Sequence, residues 1–287
     1  MLAAWRRWHS RRAWLRWPTK LALFVLGVGL VLYPRPWLLP VSFERLRDLN
    51  STLDPQHPGL APFEADVRER LGAASSQPAI LKAVEKVVYE RIPYAWDWQV
   101  WGVMEYVPTL AEVLAVGRED CDGRAVVAAS LLRRMGYEAH LVSDLLHVWV
   151  ETPMGDTMSP TGGQKTLSGT ADGTSAVFSL GLVQNLARGL SYGVAVFPFG
   201  REIVVLLLLA ALSAHPRATA WRLLSGVLLL WIALDVLRDS GQQAAMNGSA
   251  ADVAWTATGA AVALAGWLVI AVKDRAGLAE HRARPAE

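Results

Sequence analysis

The chain has 287 residues, enough for one or two domains, and 53% of them are hydrophobic. Its formal net charge of +2 is too small to indicate a nucleic-acid-binding surface, so we expect no nucleic-acid partner. The single cysteine, Cys121, excludes an intramolecular disulfide and leaves one thiol for any cysteine chemistry.

The first forty residues combine a basic, tryptophan-rich segment with an apolar run. Arginine and tryptophan are mixed through residues 1–20, which is typical of a helix at the cytoplasmic surface of a membrane. Leu21–Tyr33 is uninterrupted apolar sequence, and Lys20 and Arg35 can place their charges among lipid headgroups at its two ends. A cleaved signal peptide is the alternative, but no small-residue cleavage motif follows the run. We therefore predict that residues 1–40 are an uncleaved membrane anchor.

Residues 41–175 are more polar and are predicted to form a separate α+β domain. Apolar periodicity and capping residues predict helices in its first part, at Ser42–Leu49, Pro62–Leu71, Pro78–Arg91 and Thr109–Val116. A dense aromatic stretch at residues 94–101 is expected to pack mainly in the core. The segment Gly162–Thr174 is rich in Gly, Thr and Ser, and is predicted to be a loop that ends the domain.

The domain is predicted to be organised around a helix that begins beside Cys121. Asp120 is a suitable N-cap, apolar residues recur through 125–135, and Gly136 is a suitable C-terminal stop. A thiol at a helix N-terminus lies near unpaired backbone N–H groups and the positive end of the helix dipole. Both favour the thiolate over the thiol.

Two strand-like runs follow the cysteine helix, at Glu138–Ser143 and His147–Glu151. In the second run, alternation places His147, Trp149 and Glu151 on one face. A cysteine at a helix end and a histidine on a strand are the two groups that nucleophilic catalysis needs, because the imidazole can accept the thiol proton. We therefore predict Cys121 as nucleophile and His147 as base.

These residues resemble the transglutaminase-like superfamily, whose fold is papain-like. The family pattern of Gly-Asp-Cys, Leu-Leu-Arg-x-x-Gly and His-x-Trp-Val-Glu is matched by Glu119-Asp120-Cys121, by residues 131–136 and by residues 147–151. The preceding segment is similar to bacterial transglutaminase-like cysteine proteinases, at Ile92-Pro93-Tyr94, Asp97, Trp101-Gly102, Tyr106, Pro108-Thr109 and Glu112. The resemblance covers roughly residues 78–163 and implies a papain-like domain with a Cys-His site.

The third catalytic position departs from the family pattern. Where the resemblance implies an Asp-Pro pair, this chain has Ser159 followed by proline, and Asp156 lies three residues earlier at a predicted hairpin turn. Either residue is a candidate to orient His147. In a papain-like site a side chain upstream of the cysteine also shares the oxyanion with the cysteine N–H. Gln99 and Trp101 are the candidates for that role.

The same residues include possible metal ligands. A zinc site of Cys121, His140 and His147 lacks the paired-ligand spacing typical of zinc proteins. Carboxylates beside the cysteine bind calcium in some of the cysteine proteinases that the chain resembles, so Asp120 and Asp122 are candidates for such a site. Roles as N-cap and first-turn acid also explain both residues, and we therefore predict neither a metal nor a cofactor.

The C-terminal part is predicted to be membrane-embedded. Residues 176–200 read as an amphipathic connector, and residues 201–287 contain apolar blocks at Ile203–Ala214, Leu223–Leu237 and Val253–Val272. Arginine and lysine are concentrated in the N-terminus, in the connection between the first two blocks and in the tail. This distribution predicts four spans of a bacterial inner membrane with both termini inside and the 41–175 domain outside.

Two functions are consistent with this sequence. The first is a membrane-anchored cysteine enzyme that attacks amide bonds of proteins or peptides and passes the acyl group to water or to an amine. The second is a non-catalytic scaffold that binds a partner protein at the membrane, which Ser159 in place of Asp would favour. Membrane lipid is an expected partner under both hypotheses. The sequence gives no oligomeric state.

Overall fold

A computed structural model describes residues 13–72, 76–144, 147–159, 165–170, 172–176, 181–215, 218–247 and 250–271. The chain divides into two units. One unit comprises Tyr33–Leu190, and the other comprises the described parts of Met1–Leu32 and Ser191–Glu287.

The described α-helices are numbered in chain order. They are α1 (Ala13–Leu32), α2 (Leu38–Arg47), α3 (Ala61–Leu71), α4 (Gln77–Arg91), α5 (Asp97–Val100), α6 (Leu110–Val116), α7 (Cys121–Arg134), α8 (Gly181–Val196), α9 (Phe199–Ser213), α10 (Ala220–Asn247) and α11 (Ala250–Ala271). Short 3₁₀ helices occur at Leu49–Thr52 and Pro58–Leu60.

A small antiparallel sheet follows α7. Its strands are β1 (His140–Ser143), β2 (Val148–Thr152), β3 (Gly155–Thr157), β4 (Leu167–Thr170) and β5 (Gly173–Ala176). They lie in the order β3-β2-β1-β4-β5, with Val142 opposite Trp149 and Glu151 opposite Asp156. The unit is therefore a helical domain with one small sheet, while the papain-like arrangement of that domain stays a prediction.

Helix α7 lies in the hydrophobic core of the Tyr33–Leu190 unit. Its apolar side chains, including Leu131 and Leu132, are fully buried and belong to the same core cluster as Leu141 of β1 and Val150 of β2. Leu131 follows Val127 by four positions, so these two residues lie on the same side of the helix, and the adjacent Leu132 widens the apolar face. The expectation that this face packs on the two strands is confirmed.

Helix caps agree with the sequence, whereas one loop prediction is wrong. The Asp120 side chain accepts a hydrogen bond from the Asp122 N–H, and Thr109 and Glu112 form a capping box at α6. Gly162–Thr174 was predicted to be a loop, yet β4 and the start of β5 lie within it. Thr170 and Gly173 close a hairpin that pairs with β1, a partner distant in sequence that local composition does not reveal.

The second unit contains the long apolar helices. Three described segments are long and apolar enough to cross a membrane: Trp14–Leu32, Ala220–Gln243 and Val253–Ala271. A fourth would require α8 and α9 to act as one broken span, since they meet at an angle of 111°. Helix α10 extends well beyond the predicted Leu223–Leu237, because its sequence stays helix-compatible through Gln242 and Gln243.

One buried ion pair joins three helices of this unit. Glu202, near the start of α9, is 7% exposed and accepts a hydrogen bond from Arg238 of α10. The same guanidinium donates to the carbonyl oxygens of Val194, Ala195 and Phe197 at the end of α8. The cation therefore caps carbonyls that have no intrahelical partner and compensates the buried carboxylate.

Candidate functional site

Cys121 is the first residue of α7 and is partly exposed. The backbone N–H of Val148, the first residue of β2, lies close enough to the Cys121 sulfur to oppose the rise in the pKa of the thiol. Because His147 is the residue immediately before Val148, this contact brings the start of the histidine-bearing strand to the thiol. The two residues predicted to react together therefore lie in one region of the structure.

Asp144 is hydrogen-bonded to the backbone of His147 at two points. Its Oδ1 accepts the backbone N–H of His147 at 2.8 Å, and its own N–H donates to the His147 carbonyl at 3.2 Å. Burial lowers the pKa of His147, while the charges of Asp144 and then Asp120 oppose that shift. Asp144 is only 6% exposed, so a buried carboxylate acts on the imidazole. The sequence-based list of site residues missed Asp144, although an acid three residues before the histidine is a turn signal.

The two candidates for orienting His147 lie on and just after β3. Asp156 is exposed, and its carboxylate accepts a hydrogen bond from the indole N–H of Trp149 at 3.0 Å. Within the part of the chain that the structure describes, Trp149 and not His147 is its hydrogen-bond partner. Ser159 is exposed and follows Met158, whose φ of 59° turns the chain at the end of the strand.

The two candidates for the oxyanion site lie on and just after α5. Gln99 is exposed, and its side-chain oxygen accepts the backbone N–H of Trp96 as part of a capping box. The indole N–H of Trp101 donates to Oε1 of Glu119. Trp101 is therefore engaged by a carboxylate rather than directed at a reacting oxygen. The N–H of Cys121 remains a candidate, since the first N–H groups of a helix lack intrahelical acceptors.

Four carboxylates converge beside the thiol. One oxygen each from Asp97, Glu119, Asp120 and Asp122 lie within 4.8 Å of one another. Asp97 and Asp122 are 2% exposed, and Glu119 is fully buried. Oδ1 of Asp97 and Oδ2 of Asp122 have no hydrogen-bond partner among the described residues. None of the four forms an ion pair with a described residue, although the charge of Asp120 acts on Arg124.

Gly123 makes room for the side chain of Glu119. A Cβ atom at this position would lie 2.2 Å from Cγ of Glu119, so the Glu119 side chain occupies the space that any larger residue would need. The carboxylate is then fixed by the Asp120 N–H at 2.8 Å and by the Trp101 indole.

The acids next to Cys121 oppose formation of the thiolate, which the helix N-terminus was expected to favour. Burial, and then the charge of Asp120, raise the pKa of the Cys121 thiol well above its usual value. Burial and the neighbouring acids likewise raise the pKa of Asp97 well above its usual value and that of Glu119 to about 7. Glu105 is exposed as a residue, yet its desolvated carboxyl group and the nearby Asp120 raise its pKa to about 8.

The four acids fit a hard divalent cation. Ca²⁺ binds several oxygen ligands at about 2.3–2.6 Å, and four oxygens within 4.8 Å of one another can surround such an ion. The two orphaned, buried oxygens are the kind of ligands that a cation satisfies. The roles predicted for Asp120 as N-cap and Asp122 as first-turn acid are both observed, and neither conflicts with metal binding.

No family model, curated protein or solved structure matches the chain. The chemistry available to it is therefore set by the groups around Cys121. These are a thiol at a helix N-terminus, a partly buried imidazole on the residue that precedes β2, and a set of acids whose charge depends on protons or on a cation.

Proposed function

We propose that the chain is a membrane-anchored cysteine enzyme that acts on amide bonds of proteins or peptides outside a bacterial inner membrane. Cys121 is the nucleophile, and His147 accepts the thiol proton and returns it to the leaving amine. The acyl group then passes to water or to an amine. The resemblance to transglutaminase-like cysteine proteinases and the placement of these two residues support this reading.

The proximity of the Val148 N–H to the Cys121 sulfur carries the proposal. It joins the N-terminus of α7 to the start of β2, although the two residues are far apart in the sequence. A buried cysteine with only a packing role would not need its sulfur at the strand end that follows a histidine.

Proton transfer must accompany attack in the metal-free site. Because the pKa of the thiol is raised and that of His147 is lowered, the pair at neutral pH is a thiol beside a neutral imidazole. A neutral imidazole is the form that can accept a proton, so the histidine retains its function as base. Asp144 then stabilises the imidazolium that forms, since its charge favours the protonated ring.

A cation held by Asp97, Glu119, Asp120 and Asp122 would change this balance. When bound, it would supply positive charge beside the thiol, and nearby positive charge lowers the pKa of a cysteine. The residues of the chain would still perform the proton transfer. Asp120 would also continue to cap α7 through its other oxygen.

A non-catalytic scaffold is the second candidate function. The raised pKa of Cys121 and the exposed serine at position 159 favour it, because both reduce the fraction of reactive thiolate. In that case the Tyr33–Leu190 unit would bind a partner protein at the membrane without transforming it.

The membrane topology is also a proposal. The apolar helices α1, α10 and α11 are compatible with membrane association. The distribution of arginine and lysine in the sequence supports inside termini and an outside Tyr33–Leu190 unit. Protease added to intact spheroplasts should then cut that unit and spare a C-terminal tag, and the reverse pattern would invert the orientation.

Labelling of the single thiol tests the catalytic proposal. The full chain in nanodiscs is treated with a peptide-based electrophilic probe, and its labelling is compared with that of Cys121→Ala and His147→Ala. We expect Cys121→Ala to abolish labelling and His147→Ala to slow it at least tenfold, because the base is lost. Equal labelling of the wild type and His147→Ala would favour the scaffold, and activity-probe labelling of native membranes would then identify no substrate.

A further inference from the structure

Arg124 lies beside the thiol on the same face of α7. It follows Cys121 by three positions, and residues at that spacing are neighbours on a helix surface. The guanidinium is only partly exposed, and its Nε donates to the carbonyl oxygen of Ile92 at 2.9 Å. One edge of the group is therefore fixed to the backbone that follows α4, and the orientation of its plane is restricted.

Two tyrosine rings form a platform under this guanidinium. Its Cζ lies 4.9 Å from the ring centroid of Tyr89 and 5.0 Å from that of Tyr94. Both tyrosines are 43% exposed, and Tyr94 is supported by an edge-on contact with Trp96 at 4.8 Å. Exposed aromatic rings that hold an arginine next to a nucleophile provide an apolar surface and a fixed cation together.

The outer nitrogens of Arg124 are available to a ligand. Within the described part of the chain, Ile92 is the only hydrogen-bond partner of the guanidinium, and no carboxylate pairs with it. The two terminal NH₂ groups lie in one plane at the end of the side chain, which is the geometry that binds both oxygens of a carboxylate.

Asp120 precedes Arg124 by four positions, and its charge acts on the guanidinium, but the two side chains form no ion pair within the described part of the chain. Asp122 precedes Arg124 by two residues, so the helix places the two side chains about 160° apart around its axis. Asp122 is accordingly buried while Arg124 reaches the surface. Asp122 therefore lies on the inner side of the helix, whereas Arg124 lies on the outer side with Asp120 near it.

We propose that Arg124, Tyr89 and Tyr94 form a subsite that binds a carboxylate of the substrate next to the amide that Cys121 attacks. The inference rests on the proposed function, because it assigns a substrate feature to the same site. The guanidinium binds the carboxylate, and the two rings contact the carbon chain that carries it. The substrates are thus peptides with an acidic side chain or a free chain end close to the reacting carbonyl.

The single cysteine allows a direct test with two alkylating reagents that differ only in charge. Iodoacetate and iodoacetamide each form an Sγ–CH₂ bond and release iodide, while the thiol proton passes to base. The ratio of their rate constants on the full chain cancels any change in the intrinsic reactivity of the thiol. We expect Arg124→Gln to lower the iodoacetate-to-iodoacetamide ratio about tenfold, since a charge-assisted contact to the carboxylate is lost.

Two further variants distinguish binding of the carboxylate at Arg124 from a general effect of positive charge near the thiol. Arg118→Gln removes an equal charge from an exposed arginine three residues before Cys121 and should leave the ratio within about twofold of the wild type. Arg124→Lys keeps the charge without the planar pair of NH₂ groups, so we expect an intermediate ratio. An unchanged ratio in Arg124→Gln, or an equal fall in Arg118→Gln, would overturn the subsite.

Protection of the wild-type thiol identifies the source of the carboxylate and requires no variant. N-acetylglutamate amide presents a side-chain carboxylate, N-acetylalanine presents a chain end, and N-acetylalanine amide presents neither. We expect at least one of the two carboxylates to slow iodoacetamide alkylation about tenfold relative to the neutral compound at equal concentration. If neither does so while Cys121 still reacts, the subsite is wrong and the proposed nucleophile stands. If Cys121 reacts with neither reagent, both proposals fail.

Discussion

Buried carboxylates have different charged partners in the two units of this chain. In the membrane-type unit, the carboxylate of Glu202 is paired with Arg238, which also caps the end of α8. In the Tyr33–Leu190 unit, four carboxylates approach within 4.8 Å of one another without a cation from the described part of the protein. The first acid faces a cation of the chain itself, although Oε1 of Glu202 has no hydrogen-bond partner among the described residues. The second set of acids has no ion-pair partner there and is neutralised by protons or by a bound cation.

The difference separates a structural charge from a functional one. An ion pair with additional hydrogen bonds offsets its own desolvation and holds helices together. Like charges in a buried cluster oppose folding, and such clusters are typical of sites that bind ions or shift pKa values. The position of Cys121 within the second cluster makes its reactivity depend on how those acids are neutralised.

The largest effect is expected from breaking the paired acid. Arg238→Ala leaves Glu202 buried without its cation and the carbonyls of α8 without a donor, which should destabilise the unit by about 3–5 kcal/mol. Equilibrium denaturation in mixed micelles measures this change. Adding Glu202→Gln should restore part of the loss, and the matched change Asp97→Asn in the other cluster should leave stability unchanged or higher. A destabilisation by Asp97→Asn as large as that by Arg238→Ala would remove the contrast.

Calcium should stabilise the cluster of unpaired acids. At a free Ca²⁺ concentration of 100 times its dissociation constant, linkage predicts a gain of about 2.7 kcal/mol, seen as a higher melting temperature. Iodoacetamide should also alkylate Cys121 faster at pH 7.5, because the ion lowers the pKa of the thiol. Glu119→Gln combined with Asp122→Asn should abolish both responses. A melting temperature that is the same in Ca²⁺ and in chelator would exclude the ion.

Without calcium, the stability of the Tyr33–Leu190 unit should fall as the pH rises from about 4.5 to 7. The pKa of Glu119 is raised to about 7, so the folded state binds its proton more tightly than the unfolded state does. The stabilisation is present below the unfolded pKa and is lost as the pH passes through the folded pKa, with a change on the order of 1–3 kcal/mol. Glu119→Gln should make the melting temperature depend less on pH, as measured by thermal denaturation at several pH values. Stability that rises over this range would contradict the assigned direction.

Gly123→Ala should disturb the same cluster through packing alone. The new Cβ would meet Cγ of Glu119 at 2.2 Å, and such overpacking typically costs about 1–3 kcal/mol. Glu119→Ala in the same chain should remove the clash, so a double-mutant cycle should show strong coupling. Additive effects of the two substitutions would place Glu119 elsewhere.

The smallest effect is expected at the third catalytic position. Ser159→Asp adds a charge that can stabilise the His147 imidazolium, and we expect alkylation of Cys121 at neutral pH to rise by less than about tenfold, since Ser159 is exposed. Asp156→Ala should change the rate little, because its carboxylate is bound to Trp149. Loss of reactivity in Asp156→Ala, with no response to Ser159→Asp, would instead identify Asp156 as the orienting residue.

The elements that sequence reasoning predicted well are those governed by neighbouring residues. Asp120 as N-cap, Thr109 as the cap of α6, and the apolar face of α7 follow from local spacing, and the structure contains all three. The hairpin of β4 and β5 was missed because β1, which pairs with β4, lies more than twenty residues earlier.

The composition of the site was only partly predictable for the same reason. Cys121 was recognised as a candidate from its helix start, and His147 from its strand. The approach of Asp97 to Glu119 depends on how the α5 segment packs against α7, which no local pattern encodes. Gly123 was an available signal, since a glycine inside the first turn of a helix indicates close approach by another group.

The pairing of Glu202 with Arg238 also constrains the order in which the membrane-type unit is completed. The acid is synthesised 36 residues before its cation, which corresponds to about 2–7 s at typical translation rates. During that interval the short helix α9 carries an uncompensated carboxylate and is poorly suited to remain in lipid alone. We therefore expect α9 to enter the bilayer together with α10, so that a ribosome stalled between them would leave α9 at the membrane surface.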